Sequence, residues 1–240
     1  MDMDARGSTD TRGTPKDPAP PTLYEAYQAA RQSATALLTG LSDADAALPV
    51  PACPGWRVRD LTAHLLQVCR DGRGEEPATG PLPYEPALAV PRLLELWERD
   101  AAELEQRLPL LDPIHGPTLV LDALPHEQDL RYALGLPQVE RHPALRPSFG
   151  LLLAGFGRSL AARALPSVRF EAPGTEGGWV VGEEPSAVTV RAPRHAIYRM
   201  LAGRRSSLQI AAMDWSRPAE PWLPAFTWGP FRVPPHAVED

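Results

Sequence analysis

The sequence contains three side chains whose types and spacing could bind one metal ion: His64, Asp122 and His126. If their segment is helical, Asp122 and His126 stand one turn apart on the same face of the helix. Neighbours in that relation have Cβ atoms about 5–6 Å apart and can share one ion. Two imidazoles and one carboxylate suit Zn²⁺, and also Fe²⁺ or Ni²⁺. Three protein ligands leave one coordination position open, as in catalytic metal sites.

The same residues also have an ordinary structural interpretation. His64 shares a helical face with Leu61 and Leu65, so its imidazole is predicted to point inward. An inward histidine is more often a hydrogen-bonded core residue than a metal ligand. The spacing of Asp122 and His126 occurs by chance as well, but a buried aspartate without a partner is unfavourable, and this strengthens the combination. The spacing alone leaves both interpretations open.

The segments that must position these residues are predicted to be helical. Thr22 and Glu25 form a capping box at the start of the first helix. Apolar residues at helical spacing predict four helices, over residues 22–41, 58–70, 87–108 and 117–134. Gly135 is the expected cap of the fourth helix. Residues 42–45 and 71–86 are predicted to be loops, and residues 49–56 a rigid proline-rich connector.

Pro125 lies inside the predicted fourth helix, next to His126. A proline there removes one backbone hydrogen bond and costs about 3 kcal/mol unless something compensates. One interpretation is a kink that changes the direction of His126. The other is that the helix begins later than its spacing suggests. The sequence leaves both open.

The pattern changes after residue 147. Residues 136–147 are predicted to be a linker, followed by a helix over 150–164 that either packs beside the bundle or opens a second domain. Three alternating segments predict strands over 168–171, 178–181 and 187–191. Short helices over 193–202 and 206–213 and an extended tail follow. We therefore expect a disordered tail (1–20), a helical domain (21–146) and a smaller α+β domain (147–240).

Composition argues against several classes of protein. The 240 residues carry a formal net charge of −6 and no dense run of basic residues, which argues against nucleic-acid binding. The two cysteines, Cys53 and Cys69, form no CxxC motif and no disulfide framework, so a reducing compartment is expected. No secretory leader is evident, and no apolar run approaches the roughly 18 residues of a membrane span. We expect a cytoplasmic protein that does not enter a membrane.

Three segments together resemble one family. Residues 51–65, PACPGWRVRDLTAHL, resemble the CPGW-x-VRD-x-x-AHL signature of the mycothiol-dependent maleylpyruvate isomerase family. Residues 121–135 resemble its second signature, in which an acidic residue precedes a histidine by four positions. Residues 201–206, with a Gly-Arg pair after a short helix, resemble its C-terminal domain more weakly. The resemblance covers most of residues 22–215 and implies a mainly α protein, with a DinB-like four-helix bundle followed by a smaller α+β C-terminal domain.

The resemblance implies a divalent metal, usually zinc, with nickel or iron as alternatives. The residues that match the family's ligands are His64, Asp122 and His126, the same three that the spacing selects. The best-known member carries glutamate where this chain has Asp122, whose side chain is one methylene shorter. The metal would therefore have to lie closer to the helix, or a water would have to intervene. Pro125 is a second departure from the family pattern.

The resemblance also implies an enzyme that uses mycothiol, a small thiol, on a small electrophilic substrate. Thiolate addition to a cis-enedioyl carbon, rotation and elimination would isomerise the substrate, whereas displacement of a leaving group would make the protein an S-transferase. A hydrolase that uses metal-bound water, or a non-catalytic sensor module, stays open. The oligomeric state is not predicted.

Three further residues have expected roles. Asp129 could orient a ligand or accept a proton, or could simply pair with Arg131 or solvent. Arg204 could bind a carboxylate of the thiol or substrate, or could be a surface cation near a helix end. Cys53 is expected to be structural, since no base lies near it in the sequence.

Overall fold

The computed structural model of the chain describes residues 21–72, 88–110, 115–139, 141–175 and 177–239. The predicted disordered tail (1–20) and most of the predicted loop over 71–86 lie outside the described residues. Within them, the fold is mainly helical with one small sheet. No helix of the described residues is long and apolar enough to cross a bilayer.

Four long helices form the N-terminal bundle and confirm the predicted helical architecture. They are α1 (Leu23–Leu38), α3 (Val58–Gly72), α4 (Val90–Arg107) and α5 (His115–Ala133). Helix α1 packs against α4 and α5, and α3 packs against the same two helices. Leu38, Leu61, Trp97, Leu104 and Leu124 are fully buried between them. Burial of each such side chain stabilises the fold by roughly 1.5–3 kcal/mol, so the apolar stripes determine which helical faces meet.

Helix starts follow the capping signals, including one that we interpreted wrongly. The hydroxyl of Thr22 accepts from the backbone N–H of Glu25, and the Glu25 side chain accepts from the N–H of Thr22. The same reciprocal pair joins Ser42 and Asp45. Residues 42–45 were predicted to be a loop, but this capping box begins the short helix α2 (Asp43–Ala46). At the start of both α1 and α2, a hydroxyl followed three residues later by a carboxylate satisfies backbone N–H groups of the helix.

Helix α5 carries two of the candidate ligands and passes through Pro125. It begins at His115, so the proline lies inside the helix, and the alternative of a later start is wrong. The helix ends as predicted at Gly135, which adopts a φ of 66°. The N–H of Leu136 donates to the carbonyl of Arg131 at 2.8 Å, the pattern of a glycine-terminated helix.

The C-terminal part contains a four-stranded sheet in the order β2-β1-β3-β4. Its strands are β1 (Val168–Glu171), β2 (Trp179–Val181), β3 (Val188–Arg191) and β4 (Asp214–Trp215). β1 pairs with β3 in parallel, and the other two pairs are antiparallel. The three predicted strands are confirmed, whereas β4 was missed because two residues cannot show an alternating pattern.

Two short helices and a turn complete this part. They are α7 (Arg194–Leu201), α8 (Ser207–Ala211) and a 3₁₀ helix over Leu223–Phe226. Both predicted helices are present, α8 being shorter than expected. The tail is not extended throughout, because the 3₁₀ turn places Ala225 and Phe226 in the core.

Helix α6 (Leu145–Ala162) joins the bundle to the C-terminal part. It packs against α5 and α1 on one side and against α7 and β2 on the other. It begins five residues earlier than predicted, so the predicted linker over 136–147 was too long. Pro147 lies in the first turn, where a missing N–H is tolerated. The boundary between residues 146 and 147 falls in that turn and stays a prediction.

Packing between α6 and the C-terminal tail gives a stability prediction. A Cβ added at Gly155 would lie 2.0 Å from the indole ring of Trp228, whereas one added at Gly150 would meet nothing within 4 Å. We expect Gly155→Ala to lower the free energy of unfolding by about 1–3 kcal/mol through overpacking. Gly150→Ala, in the same helix, should raise it by up to about 1 kcal/mol. Urea denaturation of both variants measures this, and equal effects would contradict the packing.

A buried ion pair between α3 and α4 gives a pH-dependent prediction. The carboxylate of Asp100 is 2% exposed and accepts from Arg70 at 2.8 Å and from Arg99 at 2.7 Å. Burial acts to raise the pKa of Asp100, but the hydrogen bonds from Arg99 and Arg70 outweigh it and lower the pKa. Since the folded pKa lies below the unfolded one, the pair stabilises the fold above about pH 4 and less as the pH falls.

We therefore expect Asp100→Asn to lower the free energy of unfolding by about 1.5–3 kcal/mol at pH 7. The difference from the wild type should shrink at pH 3, because the carboxyl of the unfolded chain is then largely protonated and this favours unfolding of the wild type. Urea denaturation at both pH values measures this. Glu95→Gln, which breaks an exposed pair with Arg92 on the same helix, is the control and should change stability by less than about 0.5 kcal/mol. A difference that grows on acidification would contradict the prediction.

Candidate metal centre

The fold brings the three predicted ligands together between α3 and α5. The Nε2 atom of His64 lies 3.1 Å from Oδ1 of Asp122, and Nε2 of His126 lies 3.5 Å from the same oxygen. The two imidazole rings have centroids 5.0 Å apart and meet edge to face. One ligand atom from each of the three residues falls within 4.8 Å of the others. The spacing and the amphipathic pattern therefore selected residues that are neighbours in space.

These separations fit a shared divalent ion. Two ligand atoms each about 2.0–2.1 Å from a tetrahedral ion are about 3.3 Å apart, close to the 3.1 and 3.5 Å observed. Oδ2 of Asp122 is buried and has no hydrogen-bond partner among the described residues. A buried carboxylate oxygen without a partner is unfavourable, and a cation would satisfy it. The donor set is thus consistent with zinc, and equally with nickel or iron.

The local charge distribution favours a cation at the same place. Burial acts to lower the pKa of His126, but the charge of Asp122 and hydrogen bonds of the ring to Asp122, Asp129 and Cys53 raise the pKa well above its ordinary value. Burial acts to raise the pKa of Asp122, and the imidazoles of His126 and His64 outweigh it and lower the pKa. The carboxylates therefore favour positive charge between the imidazoles, which a bound ion would supply in exchange for protons.

Asp129 supports the far side of the His126 ring. Its Oδ2 lies 3.1 Å from Nδ1 of His126. An ionised carboxylate can only accept hydrogen bonds, so Nδ1 of the ring carries a proton. Nε2, which faces Asp122, is then the ring nitrogen whose lone pair can bind a metal ion. This is the arrangement in which a second carboxylate holds a metal-binding histidine in the correct tautomer and orientation.

Asp129 is itself held by two arginines from the C-terminal part. Arg204 donates to its Oδ2 at 2.8 Å, and Arg199 donates to its Oδ1. Burial acts to raise the pKa of Asp129, but the charges of Arg204 and Arg199 hold the pKa well below its ordinary value. The alternative that Asp129 pairs with Arg131 or solvent is wrong, since Arg131 pairs with Glu127 and Asp129 is fully buried.

Arg204 lies on the side of this cluster that the C-terminal part of the chain forms. It is 8% exposed, so the alternative of a surface cation is wrong. Its Nε and Nη2 donate to Asp129, and its Nη1 donates to the carbonyl of Ala202. Gly203, with a φ of 71°, ends α7 and turns the chain so that the next side chain faces Asp129. Arg199 was missed by the sequence analysis, because nothing in the spacing links a residue of α7 to α5.

The proline-rich connector supplies a wall of the site. Its ends are joined by a bridge between Pro49 and Arg57, and Gly55 turns with a φ of 85°. The indole of Trp56 lies 5.0 Å from the His64 ring and 6.4 Å from the His126 ring, between centroids. Its apolar surface limits access of water to the ligands, which strengthens electrostatic interactions there.

Cys53 lies closer to the site than its sequence surroundings suggested. Its Sγ is 3.9 Å from Nδ1 of His126 and 3.9 Å from Oδ2 of Asp129. No base is near it along the chain, but two groups from α5 are near it in space. One feature of the sequence could have predicted this position. Cys53 precedes Trp56 in the connector that leads into α3, the helix that carries His64.

Comparisons with known proteins found one family model and solved structures that resemble this chain. Residues 27–134 match the family described as the mycothiol maleylpyruvate isomerase N-terminal domain. Among solved structures, the chain is similar to the crystal structure of a mycothiol-dependent maleylpyruvate isomerase, at 17% identity and a TM-score of 0.49 over 81% of this chain and 93% of that one. The structure of an H52A mutant of a protein of that description matches at 16% identity, with the same coverage and TM-score. No curated protein matches the chain.

The matched segment contains all three candidate ligands and Asp129. The helical part of this chain is therefore similar to the mycothiol maleylpyruvate isomerase N-terminal domain. The resemblance predicted from the two motifs is confirmed, although the family match covers somewhat less than half of the chain.

Proposed function

We propose that this protein is a metal-dependent enzyme that uses mycothiol on a small cis-enedioyl or similar electrophile. It either isomerises this substrate or, as an S-transferase, attaches the thiol to it in place of a leaving group. The observation that supports this most directly is the convergence of His64, Asp122 and His126 within one family's domain. The family description names both the thiol and the reaction. The chemistry of the donor set is compatible with both, since three ligands leave a position for a fourth.

His64, Asp122 and His126 would hold the ion, with zinc the first candidate and nickel or iron the alternatives. A divalent ion bound there would ionise a coordinating thiol and so provide the thiolate nucleophile that reversible addition to an alkene requires. The other residues of the site orient the ligands or limit the access of water to them. Asp129 orients the imidazole of His126, and Trp56 covers the ligands on one side.

Arg204 has capacity to bind an anion in addition to supporting Asp129. A guanidinium has five N–H groups, and three of its bonds, one each from Nε, Nη1 and Nη2, go to Asp129 and Ala202. Nη2 also lies 3.3 Å from Nδ1 of His126, so the second hydrogen of Nη1 is the one that remains for another acceptor. We assign this hydrogen to a carboxylate of the substrate, which would align the electrophile beside the ion.

Turnover with and without the thiol tests the proposal. The purified protein would be loaded with zinc and given maleylpyruvate in the presence or absence of mycothiol, and loss of the cis-enedioyl absorbance would be followed. We expect turnover only when both metal and thiol are present. Turnover that needs metal but no thiol would contradict the proposal and indicate metal-bound water as the nucleophile. Thiol binding without any turnover would contradict it in favour of a sensor module.

A further inference from the structure

A basic groove lies where the bundle meets the C-terminal part of the chain. It consists of two cavities of about 640 Å³ each, which share Arg141, Leu145 and Arg194 in their walls. Arg146 lines one cavity and His195 lines the other. None of the candidate metal ligands contributes to either wall. We refer to this pair of cavities as the junction groove.

The junction groove has an unusual charge for this protein. No aspartate or glutamate is among the described residues that line either cavity, although the whole chain carries a formal net charge of −6. Arg141 and Arg146 are exposed, and neither forms an ion pair with a carboxylate of the described residues. Arg194 donates to the hydroxyl of Thr175 and lies 5.7 Å from the ring centroid of Trp179. Three guanidinium groups in one concave site attract anions.

A buried imidazole in the wall adds a neutral donor. His142 is 7% exposed and lines the groove. The backbone N–H of Ala144 donates to its Nδ1 at 3.1 Å, so Nδ1 carries no proton and Nε2 does. Burial lowers the pKa of His142, which agrees with a neutral ring. The Nε2–H group has no hydrogen-bond partner among the described residues, so it can donate to a molecule bound in the groove.

Two helix N-termini point their partial positive charge at the same place. Leu145 and Arg146 open α6, and Pro193 and Arg194 open α7; all four residues line the groove. Neither helix has a side-chain cap or an acidic residue in its first turn. In α6 the N–H of Leu145 already donates to the carbonyl of His142 and Pro147 has no N–H, so the N–H of Arg146 remains. This group and the uncapped first-turn N–H groups of α7 are donors for anions, and the helix dipoles act in the same direction.

From these features together we infer that the junction groove binds a small molecule carrying at least two negative charges, in the form of phosphate or carboxylate groups. The concave shape and the volume fit one small molecule rather than a long polyanion. The guanidinium groups of Arg141 and Arg194 bind the charges, and the Nε2–H of His142 donates to the same anion. This site does not depend on the metal centre or on thiol chemistry.

Calorimetric titration of the full chain with two probes tests the inference. Inorganic pyrophosphate represents the phosphate source, and citrate represents the carboxylate source. We expect at least one probe to bind in low salt with a dissociation constant below about 1 mM. The double variant Arg141→Gln/Arg194→Gln should weaken that binding by at least about tenfold, since each charged pair contributes more than a neutral one. Circular dichroism would establish that the variant is folded.

The matched control is Arg158→Gln/Arg217→Gln, which removes the same two charges from exposed positions outside the groove. It should bind the probe within about threefold of the wild type, because only long-range attraction is lost. The probe that binds more tightly identifies the phosphate or the carboxylate source. The inference is overturned if the wild type binds neither probe, or if the control variant loses as much affinity as the groove variant.

Discussion

Replacement of Asp129 by asparagine is expected to lower the free energy of unfolding by about 3–5 kcal/mol. The carboxylate is fully buried and accepts from Arg199, which is 1% exposed, and from Arg204, which is 8% exposed. The amide would leave two buried guanidinium groups without their counter-charge. Breaking a buried pair by removing one partner is far more damaging than replacing the pair as a whole.

The same variant should weaken zinc binding by about 10–100-fold, because His126 loses the acceptor that fixes its tautomer. Urea denaturation and competition with a chromophoric chelator measure the two effects separately. Asp71→Asn is the control: Asp71 is exposed and accepts from Gln67 one turn before it. A loss of stability no greater than that of the control would show that Asp129 does not hold the two parts of the chain together.

Removal of the His64 imidazole is expected to have the largest effect on activity. His64 is the one candidate ligand on α3, so His64→Ala leaves Asp122 and His126 of α5 as a two-residue site. Three ligands are the usual minimum for a catalytic ion. We expect thiol-dependent turnover to fall by more than about 100-fold, beyond the range seen when only a supporting residue is lost.

The fold should tolerate this change, since the His64 side chain is 22% exposed. His236→Ala, at an exposed position in the tail, is the matched control and should keep full turnover. Circular dichroism and urea denaturation of both variants separate loss of the site from loss of the fold. Full thiol-dependent turnover by a well-folded His64→Ala variant would remove His64 from the reaction.

Local signals in the sequence were sufficient for the bundle and for the three donor side chains. The capping box at Thr22, the apolar stripe around His64 and the four-residue spacing of Asp122 and His126 each act within one helix. A helical period converts such spacing directly into a shared face. Facing stripes then bring α3 and α5 together, because both must be buried against a neighbour.

The parts that the sequence could not predict depend on contacts between distant segments. Arg199 reaches Asp129 across 70 residues, and Cys53 reaches His126 across 73. No local pattern encodes either pairing, because each needs the C-terminal part or the connector to be folded first. The same reason explains why Asp129 was left between two interpretations: its partners come from α7 and the turn after it. The start of α6 was placed too late because residues 136–147 were predicted to be a linker, although the first turn of a helix accepts a proline such as Pro147.

The central claim is that His64, Asp122 and His126 share one divalent ion, and elemental analysis tests it most directly. The wild type, His64→Ala and His236→Ala would be incubated with zinc, passed through a desalting column and measured for metal per chain. We expect about one equivalent in the wild type and the control, and under about 0.2 in His64→Ala. A wild type that retains less than about 0.2 equivalents, or a His64→Ala variant that retains as much as the wild type, would contradict the claim.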